Sequence, residues 1–298
     1  MLSSPDTILE VKAPAKVNLL LSVHGPREDG FHELSSLIVA LDFGDHLTVK
    51  VNQKGVDQLS CDDMAVPLGP DNLILKAAEA FRATTGGSDY FDFDLIKRVP
   101  MGAGLGGGSS DAVAALKALN ALTGSILSGD ALRELSSTLG SDCPFFVDKV
   151  PAIMRGRGER LEPLPDAVAQ RLKGQKLVLF RPEFPIGTAW AYGALRAGAP
   201  ASYEPASETA SRLSDFINGG KLSQLLFNSF EAAVGQKYLA IPALLEKLRS
   251  KDIPCLMSGS GSCCFALISS DASEVDRLKS FLHQAWGEAV FWVETSIC

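Results

Sequence analysis

Pro100-Met101-Gly102-Ala103-Gly104-Leu105-Gly106-Gly107-Gly108-Ser109-Ser110-Asp111 places five glycines in seven positions. Without a Cβ, such a run turns sharply and lets backbone come close to a bound group. Before it, Phe91, Phe93 and Leu95 alternate with Asp92 and Asp94, the period of a strand with one buried face. After it, Ala112, Ala115, Leu116 and Leu119 form an apolar stripe at helical spacing, with Ser109 the expected N-cap. A helix start presents unpaired N–H groups and the positive end of its dipole, which together favour an anion. Ser109 and Ser110 add hydroxyls able to bond a phosphate or hold Mg²⁺. Strand, glycine loop and helix therefore describe a phosphate cradle. A flexible linker would gain nothing from so tight a placement.

Other glycine loops fit less well. Gly102 to Gly107 spells G-x-G-x-x-G, but a dinucleotide site needs a βαβ unit with an acidic residue after its second strand. Asp130 lies near the right distance but at the start of a helical segment. No G-K-[ST] follows the glycines, so this is not a P-loop. A protein-kinase loop needs H-R-D and then D-F-G. No H-R-D occurs, and Asp42-Phe43-Gly44 precedes the loop instead of following it.

Outward from the loop, residues 8–51 read as strands and 52–71 as loop. A helix starts near Asn72, its stripe including Leu75, Ala78 and Phe81, and stops at Gly86-Gly87. Another runs from about Ser128 to Leu139, with Gly140 as its stop. Leu177 to Phe180 reads as a short buried strand and Gly198 to Ser211 as a surface loop. Later helices centre on Leu244, Leu245 and Leu248, and on Val275, Leu278 and Leu282, the last opening with Asp271 and Glu274 at capping-box spacing. Strands are expected near Cys264–Ile268 and Ala289–Val293. Strands and helices alternate without regular βαβ spacing, which points to α+β. A length of 298 residues favours two domains, 1–160 and 161–298.

Composition narrows the partners. Lys and Arg number 28 against 35 Asp and Glu, for a net charge of −7, and no basic stripe suits nucleic acid. Residues 1–10 lack the pattern of a signal peptide, and no apolar run could span a bilayer, so a cytoplasmic protein without a membrane partner is expected. The six cysteines include no C-x-x-C pair and read as reduced, mostly buried thiols.

Three segments in order resemble the GHMP kinases, the galactose, homoserine, mevalonate and phosphomevalonate kinase group. Pro14-Ala15-Lys16-Val17-Asn18-Leu19 is similar to their first motif, Pro100–Ser110 to their glycine-serine motif, and Met257-Ser258-Gly259-Ser260-Gly261 to their third. Arg27-Glu28-Asp29-Gly30-Phe31-His32 and Leu139-Gly140-Ser141-Asp142-Cys143-Pro144-Phe145, with Ser109-Ser110-Asp111, resemble the branch that acts on a cytidyl-diphosphate methylerythritol. The likeness runs from about residue 13 to 270.

The resemblance implies a two-domain α+β fold: an N-terminal ATP domain like ribosomal protein S5 and a C-terminal ferredoxin-like sandwich. It implies ATP and Mg²⁺, with transfer of the γ-phosphate to the 2-hydroxyl of that substrate in the non-mevalonate route to isoprenoids. Asp142 becomes the catalytic aspartate with Lys16 beside it. Asn72, Lys97 and the loop Pro100, Met101, Gly102, Ala103, Gly104, Leu105, Gly106, Gly107, Gly108, Ser109 and Ser110 become the ATP site. Asn18, Phe31, His32, Thr188 and Tyr192 become substrate contacts, with Phe31 and Tyr192 placed to sandwich the base. Phe31 stands where many relatives carry Tyr, which keeps a stacking ring and loses a hydroxyl. The residue types alone also admit plainer roles: a turn aspartate for Asp142, a snorkelling lysine for Lys16, a satisfied buried amide for Asn18 and helix packing for Tyr192. Rival functions are a mevalonate- or homoserine-type kinase, an inactive ligand-binding relative and, more remotely, an NAD-dependent oxidoreductase. Gly30-Phe31-His32 argues against the first, Lys16 with Asp142 against the second.

Overall fold

The structure is a computed structural model that describes residues 7–269 and 272–298. In chain order its elements begin with β1 (Ile8–Pro26), β2 (His32–Asn52), β3 (Gln58–Cys61), α1 (Leu73–Thr85), β4 (Tyr90–Ile96), α2 (Gly107–Leu122), α3 (Gly129–Ser137) and α4 (Cys143–Asp148). They continue with β5 (Ala152–Gly156), β6 (Arg160–Pro163), α5 (Asp166–Leu172), β7 (Lys176–Arg181), α6 (Thr188–Ala197), α7 (Ala206–Ile217), α8 (Leu222–Leu225) and β8 (Phe227–Asn228). The chain closes with α9 (Phe230–Gly235), α10 (Ala240–Arg249), β9 (Cys255–Met257), β10 (Cys264–Leu267), α11 (Ala272–Trp286) and β11 (Phe291–Ser296). Compactness divides it into two discontinuous units instead of cutting it once at residue 160. The first is Met1–Ala15, Phe43–Met101 and Gly106–Lys149; the second is Lys16–Asp42, Gly102–Leu105 and Val150–Cys298.

In the first unit, the second half of β2 pairs antiparallel with β4, from His46 opposite Ile96 to Asn52 opposite Tyr90, and β3 runs parallel to β4. β3 falls inside the stretch expected to be loop, because four residues are too few for a periodic signal. Phe91, Phe93 and Leu95 are buried as their alternation predicts. Asn72 caps α1 by accepting from the Ile74 N–H, and Gly86 closes it in the left-handed conformation. Ile74, Ala77, Ala78 and Phe81 form its buried face. Helix α2 is buried nearly all round, with eleven buried residues that include Ala112, Ala114, Ala115 and Ala118. Small side chains on every face let neighbouring elements pack closely around it. Its N-cap is Gly106 in the left-handed conformation, not Ser109, and no side chain caps it. Helix α3 ends at Ser137, with Thr138 as its C-cap, short of Gly140. The short α4, with Pro144 in its first turn, was not expected.

The second unit has two sheets. One runs β8-β1-β2-β5-β6, using the first half of β2 opposite β5 and a parallel contact of Leu20 and Leu21 with β8. The other is antiparallel, in the order β11-β7-β10-β9. Counted along the chain, that order is 4-1-3-2, with α10 before the second strand and α11 before the fourth, the ferredoxin-like arrangement. Its core joins Val178, Phe180, Met257 and Ala266 of the strands to Leu244, Leu245 and Leu248 of α10 and Leu278 and Leu282 of α11.

Two expectations fail here. The surface loop expected over Gly198–Ser211 gives way to α7 from Ala206. Its buried face, Thr209, Leu213 and Phe216, is helically spaced but lies mostly beyond Ser211. The last strand begins at Phe291, two residues later than expected. Asp271 of the expected capping box lies outside the described residues. Glu274 does accept from the Ser269 N–H at 2.7 Å.

Candidate active site

Gly102, Gly104 and Gly106 all have positive φ, 60°, 77° and 69°, while the intervening Ala103 and Leu105 are buried. This alternation is the feature that only glycines at every second position permit. The carbonyls between them are tied to the protein. Ala103 O accepts from the Cys263 N–H at 3.2 Å, Gly104 O from the Ser258 hydroxyl at 3.1 Å and Leu105 O from the Lys16 N–H at 2.9 Å. Across a trans peptide the N–H points opposite to its carbonyl. The N–H groups of Gly104, Leu105 and Gly106 therefore face away from those anchors. The first bond into α2 is the Ser110 N–H to Gly106 O, so the N–H groups of Gly107, Gly108 and Ser109 precede its ladder. Ser110 Oγ is buried with no hydrogen-bond partner. The sequence from 104 to 110 thus offers a row of donors and an orphaned hydroxyl, which fits phosphate oxygens.

Beside this row stands the predicted aspartate. The Ser109 hydroxyl bonds the Cys143 thiol, and Asp142 immediately precedes Cys143 at the N-cap of α4 without bonding that helix. Burial pushes the Cys143 thiol up to about 11, so it packs as a neutral group. Cys255 and Cys263 are pushed up to about 12, and Cys264 is raised well above the usual thiol range, again by burial. All six cysteines are free, four of them buried.

Lys16 and Asn18 project from β1 and are each 4% exposed. Lys16 Nζ donates to Asn18 Oδ1 at 2.7 Å, Asn18 Nδ2 donates to Ser36 Oγ at 2.7 Å, and Ser36 donates on to Leu20 O. Asn18 is a satisfied buried amide, and through it the lysine is held in one place.

The Arg27–His32 segment is a tight turn. Asp29 accepts from the Phe31 N–H, Gly30 takes φ 83° and Arg27 N–H bonds Phe31 O at 2.7 Å. The Phe31 N–H holds the Asp29 carboxyl below its usual range. Phe31 is half exposed, with the Arg157 guanidinium over its ring at 4.9 Å. His32 is buried, its ring 4.9 Å from Tyr192 and its Nε2 3.3 Å from the Tyr203 hydroxyl. The ring packed against Tyr192 is thus His32. Burial, then the Arg196 charge, lowers the His32 pKa, so its imidazole is neutral at pH 7.

Thr188 opens α6 and its hydroxyl lies 3.0 Å from that of Ser260, inside the third motif. Asn228 pins that motif, donating to Met257 O at 2.7 Å and Gly259 O at 2.8 Å. Glu231 accepts from the Met257 N–H. Asn72 is engaged as a cap, its Nδ2 donating to Pro67 O. Lys97 Nζ donates to Asp45 at 2.5 Å and to Asp111 at 2.7 Å. Asp45, Tyr203 and Asn228 were not foreseen, and Asp111 stood in the quoted Ser109-Ser110-Asp111 motif without a role. Asn228-Ser229, polar between apolar neighbours, was the one visible signal.

With this geometry in place, the N-terminal domain of GHMP kinases matches residues 72–153 and their C-terminal domain residues 208–288. The chain belongs to the GHMP kinase family, ATP-dependent kinases that act on small-molecule alcohols. A Methylacidiphilum infernorum (isolate V4) relative, 4-diphosphocytidyl-2-C-methyl-D-erythritol kinase, is 39% identical over 261 residues, 87% of this chain and 86% of that one. The chloroplastic kinase of the same name from Arabidopsis thaliana is 34% identical, covering 90% and 70%. A crystal structure of 4-(cytidine 5'-diphospho)-2C-methyl-D-erythritol kinase superposes with a TM-score of 0.77 at 34% identity, over 97% of this chain and 99% of that one. Mevalonate kinase of Methanococcus jannaschii superposes with a TM-score of 0.74 over 99% and 100% but at 14% identity, a likeness of fold alone. Among the described residues no helix is long and apolar enough to cross a membrane.

Proposed function

We propose that this chain transfers the γ-phosphate of ATP to the 2-hydroxyl of 4-diphosphocytidyl-2-C-methyl-D-erythritol, giving the 2-phosphate and ADP, in the non-mevalonate supply of isoprenoid precursors. The observation that carries the substrate choice is the turn at Phe31-His32 with its aromatic surroundings, Tyr192 and Tyr203. A mevalonate or homoserine site has no base to stack. A neutral His32 reads a base edge by hydrogen bonding and leaves charge recognition to other groups.

In the reaction the substrate oxygen forms a bond to the γ-phosphorus, the bond to the bridging oxygen of ADP breaks, and the hydroxyl proton passes to the Asp142 carboxylate. Lys16 acts as its electrostatic partner. Opposite unit charges about 4 Å apart attract by about 4 kcal/mol at an effective dielectric near 20. That attraction weakens Asp142 as an early base. Phosphoryl transfer is loose, so little early deprotonation is needed, and orientation and charge stabilisation matter more. Asp142 then orients the hydroxyl and accepts its proton late. Asn18, held by Lys16 and Ser36, faces the substrate. The row of N–H groups from Gly104 to Ser109 receives the phosphates. Among the described residues no group of three or more His, Cys, Asp or Glu could hold a metal. Mg²⁺ would neutralise phosphate charge, and the Ser110 hydroxyl, buried without a hydrogen-bond partner, is a group that would hold it. An aqueous, cytoplasmic setting suits both substrates.

ADP release measured with the cytidyl-diphosphate substrate, mevalonate, homoserine and galactose tests the assignment. Turnover of the first alone is expected. Turnover of only one of the other three would refute it.

A further inference from the structure

Lys97 is the one residue of the expected ATP site whose charged end is already occupied within the fold. Its side chain is 5% exposed and lies between Asp45, fully buried, and Asp111, which is 4% exposed. Asp45 sits in β2 and also accepts from the N–H groups of Arg98, at 2.5 Å, and Val99, at 2.7 Å. Those residues lead directly into Pro100, where the glycine loop begins. Asp111 sits in the first turns of α2, where the loop ends. One ammonium therefore joins the entry of the loop to its exit. Gly107 supports the arrangement through space and not through φ. A Cβ there would lie 3.1 Å from Lys97 Nζ and 3.0 Å from Val99 Cγ1.

We propose that Asp45, Lys97 and Asp111 form a staple across the neck of the glycine loop, and that this staple, not a contact of Lys97 with the nucleotide, sets the affinity for ATP. Lys97 and Asp111 are then positioning residues. The physical reason is preorganisation: a loop with three left-handed glycines loses much backbone entropy on ordering, and a closed neck removes part of that cost before the ligand arrives. The inference rests on the reading of residues 104–110 as the phosphate cradle.

The test combines calorimetric titration with ADP, steady-state KM values and hydrogen exchange of residues 100–108 in the nucleotide-free protein. Asp111→Leu removes the acceptor, whereas Asp111→Asn keeps an oxygen for Nζ. The Leu variant and Lys97→Met are each expected to raise the ADP Kd about tenfold, or about 1.4 kcal/mol. Both should speed exchange across the loop and leave the KM of the acceptor substrate unchanged, while the Asn variant stays near wild type. If Asp111→Leu does not fold, the paired substitution Lys97→Met with Asp111→Leu replaces both charges by apolar groups and should show the same loss. Loss in Lys97→Met with none in Asp111→Leu would mean direct contact of Lys97 with nucleotide and would overturn the staple. So would wild-type affinity in all variants, or equal losses in the Asn and Leu variants. A wild-type protein that binds no ADP would instead sink the cradle, and the exchange data would still decide whether the staple holds the loop.

Discussion

Asp142 occupies an N-cap position, where an aspartate ordinarily bonds the first N–H groups of its helix. Its carboxylate makes no such bond to α4. The helix begins instead with Pro144 in its first turn and the bond from Cys143 N–H to Gly140 O. If Asp142 orients the acceptor hydroxyl, Asp142→Asn is expected to bind ADP with nearly wild-type affinity and lose most turnover. Initial rates alongside an ADP titration check it, and a fully active variant would remove Asp142 from the mechanism. Gly104 is the complementary case, a residue chosen for what it lacks. Its φ is 77°, and a Cβ would overlap the Ser258 carbonyl. Gly104→Ala must shift the third motif or the loop, so it should lose at least about 2 kcal/mol in urea unfolding and weaken ADP binding together. A Gly104→Ala protein of unchanged stability would show that the two segments do not interlock.

Elements were legible where a local cause forms them. Asn72, the stripe down to Phe81 and Gly86 form α1 without outside help, and sequence placed both its ends. Asn72→Ala should cost about 1 kcal/mol and Asn72→Asp, which keeps the capping oxygen, should recover it, as urea melts would report. The start of α2 was misplaced because Ser109 has the chemistry of a cap, while the N-cap is Gly106 in the left-handed conformation, preceded by Ala103, Gly104 and Leu105, whose carbonyls are bonded by Cys263, Ser258 and Lys16. Those contacts join residues far apart in sequence. The same cause hid Tyr203, 171 positions from the His32 it touches, and Asn228, whose amide serves carbonyls 29 and 31 positions on. Motif spelling located the candidate site residues. It could not show that the Lys97 ammonium is engaged by carboxylates, since neither Asp45 nor Asp111 carries a signal that it is buried.

At the scale of the molecule, a single boundary near residue 160 assumed that each domain is one stretch of chain. The strands β1 and β2 defeat that assumption, because each is long enough to supply both units, and no compositional break marks Ala15 or Asp42. Stability of the whole fold should also carry the mark of one buried acid. Burial outweighs the attraction of Lys97 and pushes the Asp111 carboxyl from 3.8 up to about 7, and its Oδ1 has no hydrogen-bond partner to favour the charged form. A folded-state pKa above the unfolded one means that the native protein binds the proton more tightly. The contribution of this group is therefore complete below about pH 4, declines as pH rises and is lost above about pH 7. A tenfold difference in proton affinity between the folded and unfolded chains is worth about 1.4 kcal/mol. Asp111→Asn is neutral at every pH and cannot show the decline. Urea unfolding of both proteins without nucleotide, at pH 5 and pH 8, should find the variant gaining on wild type by on the order of 2 kcal/mol between the two. Parallel pH profiles would mean that Asp111 is charged throughout, and that Lys97 compensates its burial completely.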